Sequence, residues 1–247
     1  MNILLYIALF LIGVIVGNFW QRAIYRIPRN ISLTKKGVTC IEPESKSKCS
    51  KKLLQIFYLL LGGISFIIFA KFLEININSL KVSAIIMYLF TVSYLTMLII
   101  IAGIDNKYVN IEKKVITAGI IVSIMYIVFL YIIDPLSIYF NTMCLASYMI
   151  LLIIDTVFLR RYAKNSYTVG ILMLFNIILI FSEVDIFAYT MSMTAIEILS
   201  YLLVLKINQK KNGNKKIKID KIPVGYFVSA SNIIVLLVSA ILQSIWI

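Results

Sequence analysis

Histidine is absent from the 247 residues, cysteine occurs three times, and acidic side chains number 11 against 24 basic ones. Without histidine, a metal site would have to be assembled from carboxylates and the thiols of Cys40, Cys49 and Cys144. Three cysteines are also too few for a disulfide framework. No internal repeat is visible, and the one low-complexity tract is the lysine-rich run at 206–221. The first apolar run has no basic leader, and no small-x-small site precedes the basic segment after it, so it does not read as a cleaved signal peptide.

Apolar sequence is what the chain has in excess. It is 61% hydrophobic with a mean hydropathy of +0.97, more than a water-soluble core requires. Runs of about 18 or more apolar residues read as membrane spans. The pattern predicts an all-α, polytopic integral membrane protein with about eight transmembrane helices, at 3–20, 53–70, 82–104, 115–133, 138–159, 167–182, 186–205 and 224–246. The gap at 183–185 makes the sixth and seventh spans a tight hairpin.

The net charge of +13 is no sign of a nucleic-acid partner, because the basic residues sit between spans. Alternate gaps hold nine (Arg22 to Lys52), three (Lys107 to Lys114), three (Arg160 to Lys164) and seven (Lys206 to Lys221), which is 22 of the 24. The remaining two, Lys71 and Lys81, share the other gaps with Glu74, Asp134, Glu183 and Asp185. The positive-inside rule places the 22 in the cytoplasm and both termini outside. An even number of spans requires the termini to share a side, so count and charge agree. The lysine-rich linker at 206–223 is expected to lie against anionic lipid.

The first span ends in "VGNFWQRAIYRIPRNISL". Gly17 allows a close backbone approach, Arg22 and Arg26 lie one turn apart, and Pro28 stops the helix. By residue type, Trp20 and Tyr25 read as anchors at headgroup level. The order of Gly17, Phe19, Arg26 and Pro28 resembles the amino-terminal signature of bacterial type IV prepilin leader peptidases, with Gln21 where that family usually has Asn. The family's next loop carries two Cys-x-x-Cys pairs. Here "CIEPESKSKC" keeps one cysteine of each, Cys40 and Cys49. Two thiolates fall short of the four ligands of a structural zinc site, so no metal is expected. In the cytosol these thiols stay reduced.

The resemblance continues at "AGIDNKYVNIEKK". Asp105, Lys107 and Ile111 match the pattern Asp-x-Lys-x-x-x-Ile-Pro-Asn/Asp around the family's first catalytic aspartate. Glu112 replaces the proline and Lys113 the last residue. Physical chemistry marks Asp105 independently. A carboxylate at a helix C-terminus faces the negative end of the dipole, and desolvation at the membrane edge favours its protonated form. Two carboxylates sharing a proton can activate water against a peptide bond. The plainer reading is an exposed loop acid beside Lys107.

The family's second aspartate, in Gly-x-Gly-Asp, belongs roughly sixty residues later. The window "RRYAKNSYTVGILM" (160–173) has no acid; Asn165 to Thr168 occupy the place. Three acids elsewhere are candidates. Asp155 lies four residues before the end of the fifth span, about 6 Å inside the boundary, and is the preferred partner; alternatively Arg160 or Arg161 reaches back to it. Asp185, in "FSEVDIFAYT", is disfavoured by topology, which puts it on the outer side. Glu197 sits near mid-membrane, where a protonated acid bonded between helices is the plainer reading. At the last span Pro223 and Gly225 match the family's Pro-hydrophobic-Gly-Pro turn, with Tyr226 for the second proline.

The resemblance runs from residue 13 to about 240 and divides the chain into 1–52, a first transmembrane helix with a short cytoplasmic loop, and 53–247, a seven-helix membrane domain. It implies an aspartic endopeptidase of the bacterial inner membrane. Such an enzyme cleaves the leader of a pilin-like precursor at the cytoplasmic face, in type IV pilus assembly, protein secretion or competence. Some members also methylate the new amino terminus with S-adenosylmethionine; the reduced cysteine loop argues against that here, and no cofactor is expected. Two alternatives stand beside it: a catalytically inactive descendant acting as an assembly factor, and a small proton-coupled transporter using Asp155 and Glu197.

Overall fold

Every long apolar run that the structure describes becomes a helix. The structure is a computed structural model and describes residues 2–33, 48–73, 75, 81–133, 135, 166–211 and 222–246. Its helices are α1 (Asn2–Arg26), α2 (Lys48–Phe72), α3 (Val82–Tyr108), α4 (Lys113–Ile133), α5 (Ser166–Phe181), α6 (Val184–Lys211) and α7 (Val224–Trp246). No strand occurs among the described residues. Six of the seven are long and apolar enough to cross a membrane. The seventh, α5, has 16 residues, somewhat short of the roughly 20 that a bilayer core takes. The span expected at 138–159, with Cys144 and Asp155 in it, and the cysteine loop from Cys40 to residue 47 lie outside the described residues, while Cys49 falls in the first turn of α2.

The helices form two compact units, residues Met1–Ile100 with Leu236–Ile247, and residues Ile101–Val235. The 52/53 boundary drawn from sequence falls within α2, inside the first unit.

In the first unit α1 and α2 pack backbone to backbone as an antiparallel pair. A methyl group at Gly13 would overlap the Gly62 carbonyl, one at Gly62 the Gly13 carbonyl, and one at Gly17 the Tyr58 carbonyl. Lipid tails provide no hydrophobic force between helices, so small residues that admit close van der Waals contact carry the association. Trp20 is not the exposed anchor that its residue type suggests. It is fully buried, and its indole N–H donates to Thr96 Oγ on α3 at 3.0 Å. A buried indole needs such a partner, and this one ties α1 to α3. Across the same unit the Tyr88 hydroxyl donates to the Phe66 carbonyl at 3.1 Å, with the two rings edge to face.

The end of α1 is built by its own sequence. A 3-10 turn, Ile27–Arg29, contains Pro28, and Asn30 follows in the left-handed region at φ 54°, its N–H on the Ile27 carbonyl. Asparagine tolerates that conformation better than most residues. Arg26 is buried and donates to the carbonyls of Ser32 and Leu33, so it folds the chain back after the turn. Gly17 is buried at the α2 contact, whereas Phe19 is exposed.

In the second unit α4 and α5 run parallel: Ile111, just before α4, meets Gly170 near the start of α5, and Tyr126 stacks on Phe181 near their far ends at 4.6 Å. The expected hairpin at 183–185 is present, with α5 ending at Phe181 and α6 starting at Val184.

The glycine contact gives the first prediction. Gly62→Leu should destabilise the protein by about 3 kcal/mol, the upper end of overpacking costs, because the obstacle is backbone and cannot rotate away. The exposed control Ile15→Leu should be neutral. Equilibrium unfolding in mixed micelles measures both.

Candidate functional site

Asp105 sits in the last turn of α3 and is 0% exposed. This corrects the reading of it as an exposed loop acid: Lys107, two residues on, is the one that faces out. One carboxylate oxygen, Oδ2, accepts the Tyr167 hydroxyl at 2.8 Å and the Tyr226 backbone N–H at 2.9 Å. The other, Oδ1, is buried with no hydrogen-bond partner among the described residues.

The Tyr226 bond explains what the carboxylate does locally. The first four N–H groups of a helix have no partner within it, and those of α7 can be accounted for one by one. Val224 N–H reaches the Ile222 carbonyl at 2.9 Å and Phe227 N–H the Pro223 carbonyl at 3.3 Å. Gly225 N–H meets the Tyr167 hydroxyl at 3.4 Å, and Tyr226 N–H takes Asp105. Asp105 therefore caps α7 from a different helix, at the end where negative charge is favoured. Pro223 has no N–H to satisfy.

Ile111 completes the site. It is 6% exposed, and Cβ atoms built at Gly170 and Gly225 would lie 3.1 and 3.0 Å from it. At Gly225 that atom would also lie 3.1 Å from Asp105 Oδ2. The altered residues after Ile111 still start a helix. The Glu112 carbonyl accepts the N–H groups of Val115 and Ile116, and its side chain takes Asn110 Nδ2 at 3.0 Å. An acid suits the N-terminus of α4, which begins at Lys113.

Asp105 and Ile111 thus meet Gly225, which is far away in sequence. Asp185 and Glu197 do not join them. Asp185 is exposed in the first turn of α6. It lies beyond the end of α5, whose axis runs about 21 Å from Tyr167 to Phe181. Glu197, half-buried in α6, accepts the Ser231 hydroxyl at 3.1 Å. Nearby, fully buried Asn232 donates to Thr190 Oγ at 3.1 Å and lies 3.5 Å from Ser182 Oγ, so α6 and α7 are joined by two polar pairs, one of them buried. No group of three metal-ligating side chains occurs among the described residues. Asp155, the preferred partner, lies outside them.

Tyr167 is the residue that sequence reasoning missed. It stands 62 positions after Asp105, inside the window searched for a second acid. Its signal was that spacing; a search for carboxylates alone passes over it. A hydroxyl against a carboxylate can hold and orient it, but a phenol keeps its own proton near neutral pH, so this pair is no shared-proton dyad.

No family model matches the chain, and no curated protein or solved structure matches it.

The Asp105–Tyr167 bond is measurable. Tyr167→Phe should cost about 1 kcal/mol, within the range for hydrogen bonds in membrane proteins. Asp105→Leu should cost more, since it also uncaps α7. Asp105→Asn should cost less than Asp105→Leu, because the amide oxygen still accepts from Tyr226. The Asp105→Leu/Tyr167→Phe double-mutant cycle should show a coupling of about 1 kcal/mol; independent effects would refute the bond.

Proposed function

We propose that the chain is a divergent relative of the type IV prepilin leader peptidases that keeps their site framework without their acid pair. It acts as a membrane assembly factor that holds pilin-like precursors rather than cutting them. The observation that carries this reading is the Tyr167 hydroxyl on Asp105, in the window where the resemblance calls for a second carboxylate. Its support from the rest of the site is the convergence of Asp105, Ile111 and Gly225, which match two separate signatures. Asp105 persists here as the cap of α7.

A second reading, the endopeptidase, is favoured by one observation: Oδ1 of Asp105 lacks a hydrogen-bond partner among the described residues. There Asp155 is the second acid. The two readings separate in reconstituted membranes containing a pilin-like precursor with a basic leader. The assembly-factor reading expects the precursor to crosslink to the protein and stay full length. Leader cleavage lost in both Asp105→Asn and Asp155→Asn would establish the peptidase instead.

The finer topology belongs to the same proposal: eight spans in a bacterial cytoplasmic membrane, both termini outside, supported by the segregation of 22 of 24 basic residues. A cysteine at position 185, in a chain with Cys40, Cys49 and Cys144 replaced by serine, should react with an impermeant maleimide added to intact cells. Labelling only after lysis would overturn this topology.

A further inference from the structure

The turn between α3 and α4, residues 109–112, is exposed at Asn110 and half-exposed at Val109 and Glu112, and exposed Lys113 and Lys114 follow it. Ile111 alone points inward. Its side chain fills a slot that exists because positions 170 and 225 are glycine: a side chain at either would press on Ile111 at 3.1 or 3.0 Å. The slot adjoins the Asp105 carboxylate, since the Gly225 Cβ position is 3.1 Å from Oδ2. Ile111 therefore stands against two glycines, one of which, Gly225, adjoins the buried acid.

The chain enters this turn through Val109 at φ 48°. The left-handed region is unfavourable for any side chain and a genuine outlier for a β-branched one. Such strain persists only where surrounding contacts impose it. Two are visible: the seat of Ile111, and the Val109 N–H on the Asp105 carbonyl at 2.9 Å. On the outer side the turn carries the exposed Asn110–Glu112 side-chain bond.

We propose that the 109–112 turn is a hinged cover over Asp105, with Ile111 as its plug and Val109 as a hinge strained in the closed state. Opening relaxes Val109, withdraws Ile111 from between Gly170 and Gly225, and presents Asp105 Oδ1, which has no partner among the described residues, to a hydrogen-bond donor such as a peptide amide or amine. The structure is the closed state.

The cover can be read with no precursor present, so it stands or falls separately from the assembly-factor reading. Full-length protein in detergent is treated with a water-soluble carbodiimide and a small amine, and modification of Asp105 and Glu197 is followed by peptide mass spectrometry. Ile111→Ala should speed Asp105 modification by about tenfold or more, because truncating a buried isoleucine removes most of what seats the plug. Val109→Asn should slow it by about fivefold, since asparagine tolerates the left-handed region and relieves the closed state. Ile111→Val, which keeps most of the plug, should stay within about twofold of the parent. Equal Asp105 rates in the parent and Ile111→Ala would overturn the proposal. So would a faster rate in Val109→Asn, or a parallel rise at Glu197, which marks general loosening.

Discussion

A carboxylate removed from water draws its hydrogen bonds from inside the protein, and in the second unit the surrounding helix ends supply two of them to one oxygen of Asp105. Asp105 ends α3, Tyr167 begins α5 and Tyr226 begins α7; all three meet at Oδ2. Ile111 enters just before α4 and packs against the glycines of α5 and α7. The ends of four helices are thus fixed by one acid and one aliphatic side chain. Replacing either glycine would push on Ile111, and at Gly225 on the carboxylate as well.

Two devices of helix association stand out. Within the first unit, α1 and α2 approach through Gly13, Gly17 and Gly62, and the contact is van der Waals. Within the second unit, α6 and α7 are joined by Glu197 with Ser231 and by Thr190 with Asn232, and the rings of Tyr201 and Phe227 stand 5.3 Å apart. Both devices suit an environment where burying apolar surface gives no preference for another helix over lipid. The polar pairs fix register more strictly, since a slip would leave donors and acceptors stranded in an apolar medium.

Much of the helical plan was legible because apolar runs are long and the turns between them polar. Helix ends were less so. The sixth helix continues to Lys211 rather than stopping near 205, since lysine and glutamine are good helix formers beyond the apolar stretch. The second begins at Lys48 rather than 53, for the same reason. Asp105 was visible because an acid at the end of a span is costly and rarely accidental. Trp20 was misread because aromatic residues near a span's end usually mark the interface, and nothing local announces Thr96 as the partner. Tyr167 was hidden because the resemblance points to a carboxylate in its window, and its partner is 62 residues away.

The tyrosine also changes what the presence of Asp105 implies. An acid kept at the end of a span invites a catalytic reading, but here it has a structural occupation sufficient to retain it. It caps an N–H group in the first turn of α7 that has no partner within the helix, and it does so from a fully buried position. The dipole of α7 favours a negative group at that end, while the dipole of α3 disfavours one at its own C-terminus. Asp105 is thus poorly placed for the helix that carries it and well placed for the helix it touches. Such an acid holds α3 and α7 together because neither is satisfied without the other, and that requirement needs no second carboxylate.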